Sequence, residues 1–519
     1  MTPHRLTDSL KLNGCLSSRH CPNIFIANRI SRRVRPFVIP SSFFNSQASS
    51  SLAPKPIIAT KPIRENPELY SQNCLNRSLS LEATYPARIS KLSDDLFELR
   101  STLNQTRSKQ NTLAATIKAA ASKRNDSFKE LEILQAQARE LKQRIAAAEA
   151  IEKHLEDEMN LLAVQLPNLS HPDTPIRGNP VVVRYINPEK LPRHSVDVYD
   201  AEIMFTGTPG ISHVDIGNSL GILDFNSSNK TSGWGWYFLR GDGVLLEQAL
   251  IQYALACARK EGWDLVSPPS VVYTHIAAAC GFKPRDQNNE QQVYYISQHS
   301  VHTEAAKPDL CLTGTAEIPL AGMLANTSLS QTSFPIKMSG VSRCYRAEAG
   351  SHGLAAKGLY RVHEFTKVEL FAWTTSDPII SDSIFRGMLD LQIEILTNLG
   401  IPARVINMPT DDLGAPAYRK YDIEAFIPSR QGTKYGGWGE VTSSSECTDY
   451  QARRLNARYK HPDGKMGFLW SLNGTALAIP RIIVAILENN WDEAERVVHL
   501  PSILHKYMDG VKVLKPQSC

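Results

Sequence analysis

The sequence predicts an α+β protein in which an antiparallel helical coiled-coil arm precedes a larger domain of strands and helices. Two patterns carry this prediction. Between about residues 88 and 165, apolar residues recur at three- and four-residue spacing with polar residues between them, the signature of a coiled-coil seam. From about residue 180, short β-rich runs bounded by glycine and proline alternate with apolar helical stretches. At 519 residues the chain is too long for one compact domain. The patterns divide it into a leader over 1–55, an arm-bearing domain over 56–170 and a mixed domain over 171–519.

The leader is set apart by its charge. Up to Arg64 the only acidic residue is Asp8, against arginines at 5, 19, 29, 32, 33, 35 and 64 and a crowd of serines around Ser49. Such an Arg- and Ser-rich, acid-poor composition is that of a mitochondrial transit peptide, which makes the mitochondrial matrix the expected destination. A disordered basic tail that binds RNA is the other reading. The net charge of +5 permits nucleic-acid binding without demanding it. Nowhere does the chain offer the roughly 20 uninterrupted apolar residues of a membrane helix, so no membrane partner is expected. Nine cysteines without a CxxC pair indicate neither a zinc site nor a disulfide framework.

In the arm, Ile89, Leu92, Leu96, Leu99 and Leu103 form the first seam. After a break near Lys123–Ser127 a second seam starts at Leu131 and Leu134. One row then runs through Leu141, Ala148, Leu155 and Leu162, the other through Ala138, Ile145 and Met159, with Glu152 interrupting it. Two such helices joined by a short polar turn make an antiparallel hairpin. Between Leu99 and Asn125 there is no acidic residue, whereas Arg100, Arg107, Lys109, Lys118, Lys123 and Arg124 all fall there. An unbalanced positive field suits a phosphate backbone, and a dimerising coiled coil with a solvated basic face fits equally well. Pro167, Pro172, Pro175 and Pro180 end the arm in a stiff junction.

The mixed domain is organised around Val341–Leu370, which reads as a β-hairpin with a small, polar, glycine-punctuated loop from Gly350 to Gly358. Arg346 and Glu348 on one flank, and Arg361, His363, Phe365, Lys367 and Glu369 on the other, alternate so as to share a face of the pleat. Buried charges must be paired, so this face is a poor core layer and a good floor for a nucleotide and a zwitterion. Around it stand a buried helix over Leu245–Ala258, a strand stopped at Pro268 and Pro269, and a loop ending in Glu317. Further on come Glu440–Ser445, rich in hard oxygen donors, and a segment ending in Arg481 that leads into the apolar helix Ile482–Leu487. There is no Gly-rich phosphate loop, so any nucleotide is held by side chains on a sheet.

The motif ending in Pro269, the hairpin with Arg346 and Glu348, and the segment ending in Arg481 resemble the three signature motifs of class II aminoacyl-tRNA synthetases. Thr315-Ala316-Glu317, Phe365-Thr-Lys-Val-Glu369 and Asp449-Tyr-Gln-Ala-Arg-Arg454 are similar to the wording of the seryl-tRNA synthetase family. So is the start Ile63-Arg-Glu-Asn-Pro-Glu-Leu69, with the basic hairpin after it. The resemblance spans about residues 62–515 and implies an antiparallel-sheet catalytic domain, a homodimer formed through the motif ending at Pro269, and L-serine, ATP and tRNA(Ser) as partners.

By the same resemblance Arg346 and Arg481 would be the catalytic residues. Arg346 would bridge the serine carboxylate and the α-phosphate, Phe365 would lie under the adenine with Arg481 on its other face, and Arg361 would meet the γ-phosphate. Glu348 would fix the adenine side, with Ala347, Val362, Val441 and Thr442 also around the nucleotide. Glu440 and Ser443 would hold Mg2+. The serine ammonium would sit between Glu317 and Glu369 beside Thr315 and Ala316, and its hydroxyl would meet Thr475 and Asn473. Arg100, Arg107, Lys109, Lys118, Lys123 and Arg124, with His352 and Lys357 in the hairpin loop, would contact tRNA. His363 and Lys367 receive no role.

The chain departs from the family pattern at Ala347, Thr442 and Thr475, each standing where serine is usual. Gly436, Gly437 and Gly439 read as a flexible approach to Glu440. The lack of a zinc-ligand set argues against the metal-dependent branch of the family. A synthetase-like RNA-binding protein without catalysis, and a class II-like ligase charging a carrier protein, are the alternatives.

Overall fold

The structure is a computed structural model that describes residues 53–122, 128–192, 205, 207–282, 291–297, 309–348 and 358–516. The leader up to residue 52, Lys123, Arg124, His352 and Lys357 lie outside the described residues.

The arm is two long helices, α1 (Tyr85–Ser122) and α2 (Phe128–Gln165), packed along each other. The seam is as expected: Ile89, Leu92, Leu96 and Leu103 of α1 and Ile145 of α2 are buried, while Leu99 and most of the α2 row are half-buried. The interruption of the seam by Glu152 has a physical reason. Its carboxylate accepts from Arg100 Nε at 2.6 Å, and Arg100 also pairs with Glu156. Arg107 reaches Glu149 at 2.7 Å and Arg88 reaches Glu158 at 2.7 Å. The positive run of α1 is therefore partly neutralised across the hairpin by glutamates of α2. This corrects the expectation of an unbalanced field from Arg100 and Arg107. Lys109 and Lys118 make no ion pair with any of the described residues.

The arm's base is fastened by buried polar contacts. Arg77 donates to Ser170 Oγ and to the carbonyls of Leu169, Gly414 and Ala417. Asn168 donates to the carbonyls of Pro416 and Cys447. Each guanidinium or amide donor taken from water there finds an acceptor, as burial requires.

The mixed domain is built on an eight-stranded sheet. Its strands in chain order are β1 (Val181–Ile186), β2 (Asp264–Val266), β3 (Ile336–Tyr345), β4 (Glu364–Thr374), β5 (Ala403–Asn407), β6 (Arg419–Phe426), β7 (Trp438–Thr448) and β8 (Trp470–Ala478). The spatial order is β1-β5-β6-β7-β8-β4-β3-β2, antiparallel throughout except where β2 runs parallel to β3. Five helices matter below: α3 (His213–Leu220), α4 (Asp242–Lys260), α5 (Pro378–Asn398), α6 (Tyr450–Leu455) and α7 (Ile479–Asn489).

Alternation along β4 separates two faces. Val368, Leu370 and Ala372 join the main core with Leu246 and Leu250 of α4, Leu391 and Ile395 of α5, and Ile482 and Ile486 of α7. Phe371 and Trp373 face the other way, into a smaller core with Ile318, Leu455 and Tyr459. Phe365, Lys367 and Glu369 continue that second face toward the start of the strand. One end of the face is thus apolar core and the other is charged floor. Among the described residues no helix is long and apolar enough to cross a membrane.

Candidate active site

The predicted hairpin is β3 and β4, paired in register with Phe365 opposite Cys344 and Glu369 opposite Gly340. Two details differ from simple alternation. β3 ends at Tyr345, so Arg346 and Glu348 lie beyond the strand, and Arg361 and His363 precede β4. Glu348 sits at φ +47°, a conformation non-glycine residues seldom adopt. Its carboxylate accepts from Arg361 Nε at 2.6 Å, so these two flank residues meet as a pair rather than through the pleat.

Two register shifts aim the remaining side chains. Between β6 and β7, Ile423 faces Thr442 but Glu424 faces Glu440, which leaves Val441 unopposed. Between β4 and β8, Val368 faces Leu477 and Glu369 faces Thr475, which leaves Ala476 unopposed. Strict alternation would send residues three apart to opposite faces. Each bulge adds one residue and returns them to the same side. Glu440 and Ser443, and likewise Thr475 and Ala478, consequently line one recess with Arg346, Glu348, Arg361, Phe365, Lys367 and Arg481. Val362, Val441 and Thr442 border it as well.

Within this recess the Arg346 guanidinium lies 5.3 Å from the centre of the Phe365 ring, and Arg346 Nε donates to Gly314 O. Arg481, in the first turn of α7, pairs with Glu440 at 3.2 Å and donates to its carbonyl at 3.0 Å. Although burial opposes ionisation of Glu440, the charges of Arg481, Lys420 and Arg346 hold its carboxyl down at about 2, so it is an anion at any working pH. The ring under Arg481 is that of Tyr360, 4.8 Å away, and Arg430 lies 4.3 Å from the same ring. Arg481 thus rests on Tyr360, while Phe365 lines the same recess. Nothing in the sequence pattern singled out Tyr360 or Arg430.

Next to the recess lies a buried polar cluster. Thr315 Oγ1 donates to Glu369 Oε2 at 3.0 Å and accepts from Lys367 Nζ at 2.8 Å, while Lys367 also pairs directly with Glu369. Glu317 Oε1 accepts from Gln451 Nε2 at 2.6 Å and from Asn473 Nδ2 at 3.0 Å. Burial, and next the neighbouring charge of Glu369, push the Glu317 carboxyl up to about 7 against the pull of Gln451, Lys367 and Arg346. Glu369 already has a cation in Lys367, whereas Glu317 has no ion-pair partner among the described residues. Asn473 is turned to Glu317. Ala316 is fully buried in the second core, in the turn into the helix that Glu317 begins.

Ala347 is not among the residues lining the recess; its N–H donates to Gln292 O. Gly437 and Gly439, before Glu440, have a packing role. A Cβ on Gly439 would lie 2.9 Å from Tyr360 Oη, and one on Gly437, at φ +89°, would lie 2.6 Å from the Phe426 ring. They are small so that the strand can pack against those rings. His363, which had no role, receives the Arg346 N–H on its carbonyl at 2.9 Å, and its ring sits among Tyr294, Trp234 and Trp236. It supports Arg346 from behind.

Comparison with known proteins agrees with this geometry. Residues 299–490 match the tRNA synthetase class II core domain (G, H, P, S and T), and residues 57–170 match the seryl-tRNA synthetase N-terminal domain. The mitochondrial serine–tRNA ligase of Saccharomyces cerevisiae is 38% identical over 478 residues, covering 91% of this chain and 99% of that protein. The chain belongs to the seryl-tRNA synthetase family.

The mitochondrial serine–tRNA ligase of Schizosaccharomyces pombe is 36% identical, covering 97% of this chain and 98% of its own. Among solved structures, the seryl-tRNA synthetase of Pyrococcus horikoshii complexed with ATP superposes with a TM-score of 0.76 at 33% identity, over 89% of this chain and 100% of that one. Seryl-tRNA synthetase family membership thus accounts for the arm, the antiparallel sheet and the recess together.

Proposed function

We propose that this chain is a serine–tRNA ligase of mitochondrial translation: it activates L-serine with ATP and transfers the seryl group to tRNA(Ser). The observation that carries this reading is the meeting of two parts on one sheet face. A recess with three arginines and an ionised glutamate adjoins a buried cluster whose Glu317 has no ion-pair partner among the described residues.

In the first step an oxygen of the serine carboxylate forms a bond to the α-phosphorus of ATP. The bond from that phosphorus to the bridging oxygen breaks, and pyrophosphate leaves with the electron pair. The attacking carboxylate is ionised at neutral pH, so no general base is needed and the protein's task is positioning and charge neutralisation. Arg346 spans the two reacting groups with its planar fork, while Arg361 and Arg481 take the outer phosphates. Phe365 and Tyr360 offer aromatic faces to the base and to the arginines. Glu317 receives the serine ammonium beside Glu369 and Thr315. Thr475 meets the serine hydroxyl, and losing that contact leaves a polar partner unpaired, which disfavours alanine. In the second step a hydroxyl of the terminal adenosine attacks the seryl carbonyl and AMP departs.

Glu440 and Ser443 fit the expected Mg2+, since both put hard oxygens into the recess and Glu440 is kept anionic. The ion would neutralise phosphate charge there. Lys109 and Lys118 on α1 are cations of the arm offered to the tRNA backbone. Half-exposed Leu265, Val271 and Tyr273 around the motif ending at Pro269 support a homodimer through that surface. The relatives named as mitochondrial and the basic leader support the mitochondrial matrix as destination.

Serine-dependent exchange of pyrophosphate into ATP, measured for the parent and for Arg346→Ala, tests the reading. Exchange that depends on serine and collapses in the variant is expected. Exchange with threonine but not serine, or undiminished exchange in the variant, overturns it.

A further inference from the structure

His213 lies behind the nucleotide recess, 6% exposed, and nothing in the chemistry above uses it. It is the first residue of α3, after the N-cap Ser212. Its ring joins two separate pieces of the fold. Nδ1 is 2.7 Å from Glu488 Oε1, near the C-terminal end of α7, the helix whose first turn carries Arg481. Nε2 is 3.1 Å from the backbone nitrogen of Leu359. A backbone N–H can only donate, so Nε2 carries a lone pair and Nδ1 carries the proton, which it gives to Glu488.

Glu488 is fixed in turn. It accepts from His213 N at 3.0 Å, from Ser429 N at 2.9 Å and from Ser429 Oγ at 2.9 Å. The turn that meets the ring is fitted to it. Gly358 has φ +66°, and a Cβ there would lie 2.2 Å from His213 Nε2, so only glycine lets the backbone come this close. The residues that follow Leu359 are Tyr360 and Arg361. Tyr360 lies under Arg481 and Arg430 and donates from its hydroxyl to Glu440 O, and Arg361 pairs with Glu348.

We infer that His213 is a positioning residue for the nucleotide. By accepting the Leu359 N–H while giving its own proton to Glu488, it sets the turn from which Tyr360 and Arg361 reach the recess, and it keys that turn to the helix of Arg481. Leu359 is itself buried, so without the ring its N–H loses its partner away from water and the turn must shift. The serine end, held by Lys367, Gln451 and Asn473, shares none of these bonds.

This inference rests on the serine–ATP reading, and its test separates the two. Full-length protein carrying His213→Ala or His213→Gln is compared with the parent in pyrophosphate exchange, varying ATP and serine independently. His213→Ala raises KM for ATP about tenfold and leaves KM for serine within about twofold. His213→Gln offers a carbonyl to Leu359 N and an amide donor toward Glu488, and it stays within about threefold of the parent for both substrates. Without substrates, amide hydrogen exchange at Leu359 is slow in the parent and in His213→Gln and faster in His213→Ala. Equal changes in both KM values, no change in either, a glutamine variant as impaired as the alanine one, or an unaltered Leu359 amide overturns the inference. A parent lacking serine-dependent exchange instead overturns the functional reading, and the Leu359 amide still decides the role of His213.

Discussion

The arm and the sheet both carry many charged residues, and they handle them in opposite ways. On the arm, Arg100 and Arg107 are paired at the surface, with side chains 49% and 45% exposed. On the sheet, Lys367 and Glu369 are paired with side chains 9% and 2% exposed. An exposed pair gains about 0–1 kcal/mol, because water already solvates both partners. Removing one partner of a buried pair costs about 3–5 kcal/mol, since the other charge is left without compensation. The arm can therefore exchange its internal pairs for contacts with a partner at little cost. The sheet cannot, and its charges are fixed before any substrate arrives. Pre-placed charge is what a phosphoryl-centre reaction uses.

The sharpest way to break this contrast is at Arg346. Arg346→Ala lowers serine-dependent pyrophosphate exchange by about a thousandfold, the scale of losing a preorganised charge at a reacting centre. Arg346→Lys recovers little of it, because a point charge cannot span two acceptors as a guanidinium does. A lysine variant of near-parent activity would show that charge alone matters there.

Glu317 gives the next largest effect and adds a pH dependence with a definite sign. Its folded value of about 7 lies above the ordinary 4.5, mainly through burial. A carboxyl that holds its proton more tightly when folded contributes stability that is full below the ordinary value. That contribution is lost as pH rises through about 7. Serine's ammonium needs the ionised form, so KM for serine falls as pH rises through the same range. Glu317→Gln keeps an acceptor for Gln451 and Asn473 but has no charge. It raises KM for serine by about a hundredfold and removes its pH dependence. Thermal melts at pH 8 show the variant to be the more stable protein without substrates. A variant melting lower than the parent at pH 8 would contradict the burial cost assigned to Glu317.

How much of this was legible in the sequence follows the same division. The arm's helices, its seam and the existence of the β3–β4 hairpin are local patterns of period 3.5 or 2, and the sequence displays them. What was not legible are contacts between segments distant in sequence. The neutralisation of Arg100 by Glu152 depends on how two helices align, and the assignment of Lys367 to Glu369 and Thr315 depends on a loop 52 residues away. The bulges at Val441 and Ala476, which bring Glu440 with Ser443 and Thr475 with Ala478 onto one side, leave no pattern to read. Tyr360 was invisible because its importance comes from three arginine- and glutamate-bearing segments meeting its ring and hydroxyl.

The third effect moves to the arm and should leave the sheet untouched. Lys109 and Lys118 lie on α1 without an ion pair to any of the described residues, and a cation with no internal partner costs least to offer to a phosphate. Replacing both with alanine lowers kcat/KM for tRNA about tenfold and leaves pyrophosphate exchange at the parent level. The slope of log kcat/KM against log salt becomes shallower by about one to two. Loss of exchange in this double variant would mean that arm and sheet do not divide the work as their charges suggest.

The smallest effect tests the arm's internal pairs themselves. Arg107→Ala frees Glu149, and Arg100→Ala frees both Glu152 and Glu156. If these pairs are surface pairs in the ordinary sense, each substitution costs about 0.5 kcal/mol, and the cost shrinks further in high salt. The two are not equivalent. Glu152 occupies a position of the α2 seam, so Arg100 lets a carboxylate stand where an apolar residue belongs, whereas Glu149 stands at the surface and needs no such cover. Arg100→Ala should thus cost more than Arg107→Ala. The double change Arg100→Ala with Glu152→Leu should recover the loss, because leucine restores the interrupted row between Ile145 and Met159. Melting of the four proteins at low and high salt distinguishes the cases. Equal, salt-insensitive losses from the two arginines would place Glu149 and Glu152 in the same kind of environment, and the pairing with Arg100 would then no longer explain the break in the seam.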